Sequence, residues 1–194
     1  PHVVYYEQTN FDVKYATKSG GVWTTEVVDS NGITQPDPQS LAVDSSGIPH
    51  VVYYDFHVGV IKYARKSGGS WTTEVVPGAA SSPATLIYRS IAVDAAGNPH
   101  LALSYPPGNE LQHVVKSGGV WTSEVVDPGK GVVDPSIKIS PGGTPCISYK
   151  EITTGTNNLK YATRTGGAWS SVVVDAPGNV GGGSWLAFDA SVNT

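Results

Sequence analysis

The stretch KSGGVWTTEVV at residues 18–28 decides the fold, because it returns three more times along the chain. Its copies are KSGGSWTTEVV at 66–76, KSGGVWTSEVV at 116–126 and RTGGAWSSVVV at 164–174. A second motif, PHVVYY at 1–6, returns unchanged at 49–54, and looser versions begin at Pro99 and Pro145. The 194 residues therefore divide into four repeats, with bounds 1–48, 49–98, 99–144 and 145–194. A fixed repeat of this length is typical of β-propellers and solenoids.

Each repeat contains four short segments that are rich in β-branched and aromatic residues and are bounded by Gly, Pro, Asn or Asp. In the first repeat these segments are 1–6, 12–18, 23–28 and 40–44. No stretch has the periodicity of an amphipathic helix. Four antiparallel strands in a repeated unit are the pattern of a propeller blade. The sequence therefore predicts an all-β fold, a four-bladed β-propeller of four-stranded blades, with residues 1–194 as a single domain.

The order of strands within the repeat determines how the ring would close. Strand A is the innermost strand of a blade, and SLAVD at 40–44 is the first segment of that type. The chain then starts on a strand B and ends on a strand A at 185–189. We predict that 185–189 pairs with residues 2–6 and closes the ring, which would cover two strand edges. The alternative is that this strand completes a blade of another molecule, giving a larger ring or a polymer.

The composition argues against several functional classes. Lysine and arginine total 12 against 16 acidic residues, for a net charge of −4, and the basic residues are scattered. Nucleic acid is therefore not an expected partner, since its binding needs clustered basic residues. No apolar run approaches the length of a membrane span. The single cysteine, Cys146, cannot form an internal disulfide. A chain that starts at Pro1 and lacks Met is interpreted as an excised domain or a processed product.

The turn before each repeated tryptophan resembles a degenerate Asp-box, the short motif of sialidase-type propellers. In ATKSGGVW at 16–23, Gly20 and Trp23 match that motif, whereas Lys18 replaces its Asp and Val22 replaces its Thr. The chain also resembles propeller repeats of bacterial extracellular proteins and, more loosely, propeller lectins. This resemblance implies a propeller fold and a secreted or cell-surface location.

The catalytic residues of sialidases are not carried over by this resemblance. Those enzymes hold the substrate carboxylate with three arginines and use a Tyr–Glu pair as nucleophile. Here Arg65 and Arg164 lie near the ends of strands C, and Arg89 precedes a strand A. No Ser–His–Asp spacing, phosphate loop, metal-ligand cluster or clear carboxylate pair stands out. We therefore expect neither enzymatic activity nor a cofactor.

Several residues recur at fixed repeat positions, and we interpret them as structural. The tryptophans should be buried between blades rather than form sugar-stacking platforms; they are Trp23, Trp71, Trp121 and Trp169. The repeated His2, His50 and His100 have Cys146 in the fourth place, and we expect packing at the strand starts rather than zinc binding. Asp44, Asp94 and Asp189 end the inner strands, with Ser140 in the fourth place, and fit Asx-turns better than a calcium site. The repeated Glu and Lys are expected to face solvent; they are Glu26, Glu74, Glu124, Lys14, Lys62 and Lys160.

The two rims of the predicted propeller differ in how far the repeats diverge. The A–B and C–D turns form a short-turn rim and are near-identical copies, whereas the D–A and B–C loops form a variable rim. The variable rim carries most of the non-repeated aromatic residues, a composition that suits sugars and protein loops. The predicted ligand-binding residues are Trp185, Tyr88, Arg89, Phe56, His57, Tyr105 and Phe11.

These observations favour a non-enzymatic binding module of a secreted or cell-surface protein, which recognises a glycan or a protein on the variable rim. A second hypothesis is a structural subunit that self-associates by strand exchange, as a polymer or a larger ring. A third is an enzyme of the glycoside hydrolase type.

Overall fold

The structure, a computed structural model, describes residues 1–30, 34–35, 41–80, 88–105, 110–129, 131–152 and 156–189. Sixteen strands form four antiparallel sheets, and this part of the chain contains no helix. The predicted all-β, four-bladed propeller architecture is confirmed. Among the described residues there is accordingly no helix long and apolar enough to cross a bilayer.

Each sheet is one blade. Blade 1 contains β1 (His2–Glu7), β2 (Asp12–Ser19) and β3 (Val22–Asp29). Blade 2 contains β4 (Thr34–Gln35), β5 (Leu41–Val43), β6 (Pro49–Asp55), β7 (Val60–Ser67) and β8 (Ser70–Ala80), with β4 and β5 both paired to β6 as its inner edge. Blade 3 contains β9 (Tyr88–Val93), β10 (Pro99–Tyr105), β11 (Glu110–Ser117) and β12 (Val120–Asp127). Blade 4 contains β13 (Val132–Ile139), β14 (Pro145–Ile152), β15 (Asn157–Thr165) and β16 (Ala168–Asp175).

Paired glycines form the hairpin turn between the two outer strands of every blade. In the first blade, Gly20 and Gly21 have φ angles of 57° and 84°. A two-residue turn with positive φ at both positions matches the twist of the flanking strands, and glycine adopts it without steric cost. The same pair of angles recurs at the other three turns, which explains why GG is present in every repeat.

A β-bulge recurs at the same place in blades 1, 3 and 4, whereas blade 2 has a longer irregularity there. In blade 1 the register shifts between Val13 and Lys14, so that Asp29 and Val27 are their partners and Val28 is the extra residue. Val28 and Asp29 are consequently both buried, although strict alternation would bury one of them. The repeated VVD sequence is therefore a bulge that supplies an apolar and an acidic contact to the following blade.

Buried carboxylates connect successive blades through this bulge. Asp29 of blade 1 accepts hydrogen bonds from the Tyr53 hydroxyl at 2.7 Å and from Lys62 Nζ at 3.0 Å, both in blade 2. Asp127 of blade 3 accepts the equivalent bonds from Tyr149 and Lys160 of blade 4. The expectation that Lys62 and Lys160 face solvent is wrong, because each lysine bridges an acid of its own blade and an acid of the preceding one.

The hydrophobic core consists of three clusters, one between each pair of successive blades. Every residue of β6 in blade 2 is buried, because blades 1 and 3 cover its two faces. The central positions Val51, Leu101 and Ile147 of blades 2 to 4 have no exposed surface. The apolar burial that stabilises this fold therefore lies at the blade–blade contacts.

The predicted closure of the ring is not found in the described part of the chain. Strand β1 pairs with β2, and residues 184–189 form no strand. The backbone N–H of Leu186 instead donates to Ser136 Oγ at 3.2 Å, and that of Gly183 to Asp134 Oδ2 at 3.0 Å. These contacts hold the C-terminal segment against blade 4. The repeat pattern predicts how many strands the chain contains, but the angle between neighbouring blades depends on side-chain packing. In the described part of the chain, blade 1 has three strands and lacks an inner one.

Three of the four repeated tryptophans pack against an aromatic ring of the preceding blade. The rings of Trp71, Trp121 and Trp169 lie edge-on to Tyr15, Tyr63 and His113, with centroids 5.2, 5.4 and 5.2 Å apart. Trp23 of blade 1 is 48% exposed, so the expectation of burial is wrong for it. Among the described residues, no aromatic ring of another blade packs against Trp23, and this face of blade 1 is open.

Candidate functional site

A cleft opens between blades 2 and 3 on the short-turn rim, with a volume of about 440 Å³. Blade 2 contributes Arg65 and Glu74 together with two threonines, and blade 3 contributes Lys116 and the Gly97–Pro99 turn. Tyr63 forms part of the wall, where it packs against Trp121. The cleft thus combines cationic and anionic side chains, hydroxyl groups and one aromatic wall.

The repeat-equivalent cleft lies between blades 3 and 4 and has a volume of about 370 Å³. Its residues correspond position by position to those of the first cleft: His113 stands where Tyr63 does, Glu124 where Glu74 does, and Arg164 where Lys116 does. Its turn is formed by Gly143 and Pro145 of blade 4. Both volumes lie within the range of about 300–1,000 Å³ that is usual for small-molecule sites.

An ion pair across each blade boundary supplies the charged groups between the blades. Glu26 pairs with Lys66, Glu74 with Lys116, and Glu124 with Arg164, whose Nε lies 2.8 Å from Oε1. The Trp71 indole also donates to Glu26 at 3.0 Å. The expectation that these glutamates merely face solvent is wrong. Each is a half-buried acceptor that is fixed between two blades.

The histidines at the strand starts hydrogen-bond to residues that line the clefts. His50 Nδ1 lies 2.6 Å from the Tyr63 hydroxyl, and His100 Nδ1 lies 2.9 Å from His113 Nε2. These histidines thus make a polar contact in addition to the packing role predicted for them. A group of three or more His, Cys, Asp or Glu that could hold a metal ion is not present among the described residues. The predicted Asx-turn is confirmed at Asp44, which accepts from the N–H groups of Ser46 and Ile48 at 2.9 Å each.

His113 is held in its neutral form by the cleft between blades 3 and 4. Burial lowers the pKa of His113 to about 4, although the hydrogen bond to Glu124 acts in the opposite direction. Burial raises the pKa of Glu124, but its contacts with Trp169, His113 and Arg164 lower that pKa by more. Because a carboxylate only accepts hydrogen bonds, His113 Nδ1 carries the proton that faces Glu124.

Replacing His113 with tyrosine, the residue at this position in the other three repeats, should make the protein less sensitive to acid. The folded-state pKa of about 4 lies below the ordinary 6.5. The unfolded chain therefore binds the proton first, and stability falls as the pH drops from 6.5 toward 4. This single site accounts for roughly 3 kcal/mol of that loss by order of magnitude. Denaturant unfolding of the parent and H113Y across this pH range measures the difference; equal losses in both would contradict the assignment.

The structure describes the side chains of five of the seven residues predicted to bind a ligand on the variable rim. Trp185 is 66% exposed, and Phe11 and His57 are also exposed. Phe56 packs edge-on against Tyr54, with ring centroids 4.5 Å apart, at the edge of the core, and Arg89 is buried. The side chains of Tyr88 and Tyr105 lie outside the described residues, as do loop residues 31–33, 36–40, 81–87 and 106–109. The binding role of these residues stays a prediction.

The cleft residues were absent from the sequence-based site, although a signal for them existed. Glu26, Glu74 and Glu124 recur in the first three repeats, and a cation recurs in all four, as Lys18, Lys66, Lys116 and Arg164. An acid and a cation that each recur once per repeat allow ion pairs between neighbouring blades. Arg164 corresponds to Lys66 in this register, whereas Arg65 corresponds to Thr163 on the other face of the strand.

Comparison with known proteins places the chain among propellers by fold alone. Neither a protein-family model nor a curated protein matches the sequence. AofleA from Arthrobotrys oligospora is 16% identical with a TM-score of 0.62, and the match covers 91% of this chain and 54% of that one. A protein of unknown function from Dyadobacter fermentans is 15% identical with a TM-score of 0.59, over 82% of this chain and 57% of that one.

A third similar structure is the intramolecular trans-sialidase from Ruminococcus gnavus in complex with oseltamivir carboxylate. It is 18% identical with a TM-score of 0.52, and the match covers 88% of this chain and 41% of that one. The resemblance to sialidase-type propellers therefore holds at the level of the fold. The chain spans little more than half the length of the first two proteins.

Proposed function

We propose that this protein is a non-enzymatic, carbohydrate-binding propeller module of a secreted or cell-surface protein, and that its saccharide sites are the clefts between blades. The observation that carries the proposal is the repetition of one polar arrangement at two clefts, between blades 2 and 3 and between blades 3 and 4. A glutamate with spare lone pairs accepts from sugar hydroxyls, and a lysine or arginine donates to them. Tyr63 and His113 form the buried base of these clefts, where each packs against the tryptophan of the next blade.

The carboxylates of the clefts support binding rather than hydrolysis. Glycoside hydrolysis generally uses two carboxyl groups about 5–9.5 Å apart, one of which is protonated at the start of the reaction. Each cleft, as far as the described residues line it, contains one carboxylate, which is Glu74 or Glu124. Both are ion-paired, and the pKa of Glu124 is lowered rather than raised. We therefore favour binding over hydrolysis at both clefts.

Removing the charge of the cleft glutamates should weaken saccharide binding one site at a time. We expect E74Q and E124Q each to remove one site, and the double variant to remove both, when a panel of monosaccharides is titrated by calorimetry. Loss of one charged hydrogen bond, about 1.5–3 kcal/mol, weakens a site by roughly ten- to a hundredfold. Unchanged affinity and stoichiometry in the double variant would contradict the cleft assignment.

The variable rim is the second candidate, and exposed Trp185 is the observation that favours it. An exposed indole offers a stacking surface for a sugar or for a protein loop. W185A serves as the matched control in the titration. If the clefts bind the sugar, W185A leaves the affinity unchanged, whereas loss of binding in W185A alone would move the site to the variable rim.

A further inference from the structure

The outer face of blade 4 exposes residues whose counterparts form the core elsewhere. Val28, Val76 and Val126 are 5%, 1% and 7% exposed, because each is covered by the following blade. Val174 holds the same position in the last repeat and is 58% exposed. Val172, which stands at the position of Glu26, is also exposed. This face therefore has the composition of a blade–blade contact without the blade that covers it.

Blade 1 presents the complementary open face. Val3 is 43% exposed, whereas its counterparts Val51, Leu101 and Ile147 have no exposed surface. Trp23 is the counterpart of the three tryptophans that pack on a preceding blade. Its matching partner on blade 4 is Tyr161, which occupies the position of Tyr15 and Tyr63. Blade 4 thus presents the tyrosine ring of this contact, and blade 1 presents the indole.

The polar groups of the two faces also match. Within the chain, Asp29 binds Tyr53 and Lys62, and Asp127 binds Tyr149 and Lys160. The repeat places Asp175 at the same position on blade 4, where it is exposed and makes no ion pair among the described residues. Tyr5 and Lys14 occupy the positions of the tyrosine and the lysine on blade 1. The chain therefore has all three residues of this contact, with the aspartate on blade 4 and the tyrosine and lysine on blade 1.

The C-terminal segment is already placed as the inner strand of a following blade. Ile137 N donates to Ser90 Oγ at 3.2 Å, which anchors the inner strand of blade 4 to that of blade 3. Leu186 N makes the repeat-equivalent bond to Ser136 Oγ, also at 3.2 Å. Blade 1 has three strands and lacks an inner one. By the register of the other blades, Leu186 would lie opposite Val3 of the blade that it completes.

We propose that the outer face of blade 4 docks the blade 1 of a second copy of this chain, and that residues 184–189 complete that blade as its inner strand. The contact repeats the Asp–Tyr–Lys and aromatic contacts seen between blades 1 and 2, with one difference. Val172 stands where Glu26 does, so the contact is more apolar than the internal ones. Such a head-to-tail contact gives a ring if it closes and a filament if it does not.

A charge-swap experiment tests this contact on the full chain. We expect the wild-type mass, measured by light scattering and analytical ultracentrifugation, to rise with concentration to two copies or more. D175K and K14E should each weaken association at least about thirtyfold, since each places like charges opposite one another. An equimolar mixture of the two variants should associate again, because each contact then joins either unlike charges or the original pair.

Two results would overturn the proposal. One is a wild-type protein that stays monomeric at every concentration; if D175K then also lowers the melting temperature, the two faces close on each other within one chain. The other is a mixture of D175K and K14E that fails to associate although both variants have the wild-type circular dichroism spectrum. Neither result bears on saccharide binding at the clefts, which titration of the monomer measures separately.

Discussion

Replacing Asp127 with alanine should lower the free energy of unfolding by about 3–5 kcal/mol, the range for breaking a buried ion pair by removing one partner. Asp127 is 7% exposed and accepts hydrogen bonds from Tyr149, from Lys160 and from the N–H of Gly129. Its removal leaves a buried tyrosine hydroxyl without its acceptor and leaves Lys160 with Glu151 alone. Denaturant unfolding at neutral pH measures the loss.

Two further variants separate this contact from a general effect of losing an aspartate. D175A removes the repeat-equivalent acid on the open face, and at low protein concentration we expect a change within about 0.5 kcal/mol. Y149F removes the hydroxyl that Asp127 accepts from, so D127A and Y149F together should cost less than the sum of the single changes. A loss in D175A as large as that in D127A would contradict the assigned role of the buried carboxylate.

The strands and turns could be predicted because their causes are local. The paired glycines at 20–21 and at the equivalent turns require positive φ at two successive residues, which only a few turn types supply. The β-branched and aromatic runs between them have the length of strands. Repetition strengthened each prediction, since four copies of one pattern point to four copies of one unit.

The contacts between blades escaped prediction because they join residues about one repeat apart. Glu26 and Lys66 are 40 residues apart, and Asp29 and Lys62 are 33 apart. A single repeat shows such residues as alternating polar positions of a strand, which usually face solvent. The bulge brings both Val28 and Asp29 to the interface. It therefore breaks the alternation of buried and exposed residues from which burial in a strand is predicted.

The candidate site was placed on the variable rim because sequence shows divergence and aromatic content but not shape. The GG turns and Asx-turns of the short-turn rim carry few side chains, so the sequence predicts a flat surface there. In the structure, these small turns instead leave the mouth of each cleft open beside Glu74 and Glu124. Ring closure is likewise predicted from the order of strands within the repeat, whereas it depends on the angle between blades, which no local motif encodes.

Trp71→Ala should lower the free energy of unfolding by about 3–5 kcal/mol, as for truncation of a large core aromatic side chain. Its ring packs on Tyr15 at 5.2 Å, and its indole N–H donates to Glu26 at 3.0 Å. The change removes apolar contact between blades 1 and 2 and leaves Glu26 with Lys66 as its partner. Denaturant unfolding of the dilute protein is the measurement.

Trp23→Ala is the matched control, because it makes the same chemical change at the equivalent position of an open face. Trp23 is 48% exposed, with Lys18 Nζ 6.0 Å from the centre of its ring, so we expect a loss below about 1 kcal/mol in dilute protein. If the second copy docks as proposed, this cost should grow with protein concentration, since association stabilises the folded state by mass action. A large cost at every concentration would instead mean that blade 1 is covered within a single chain, because burial is what makes the loss of an indole expensive.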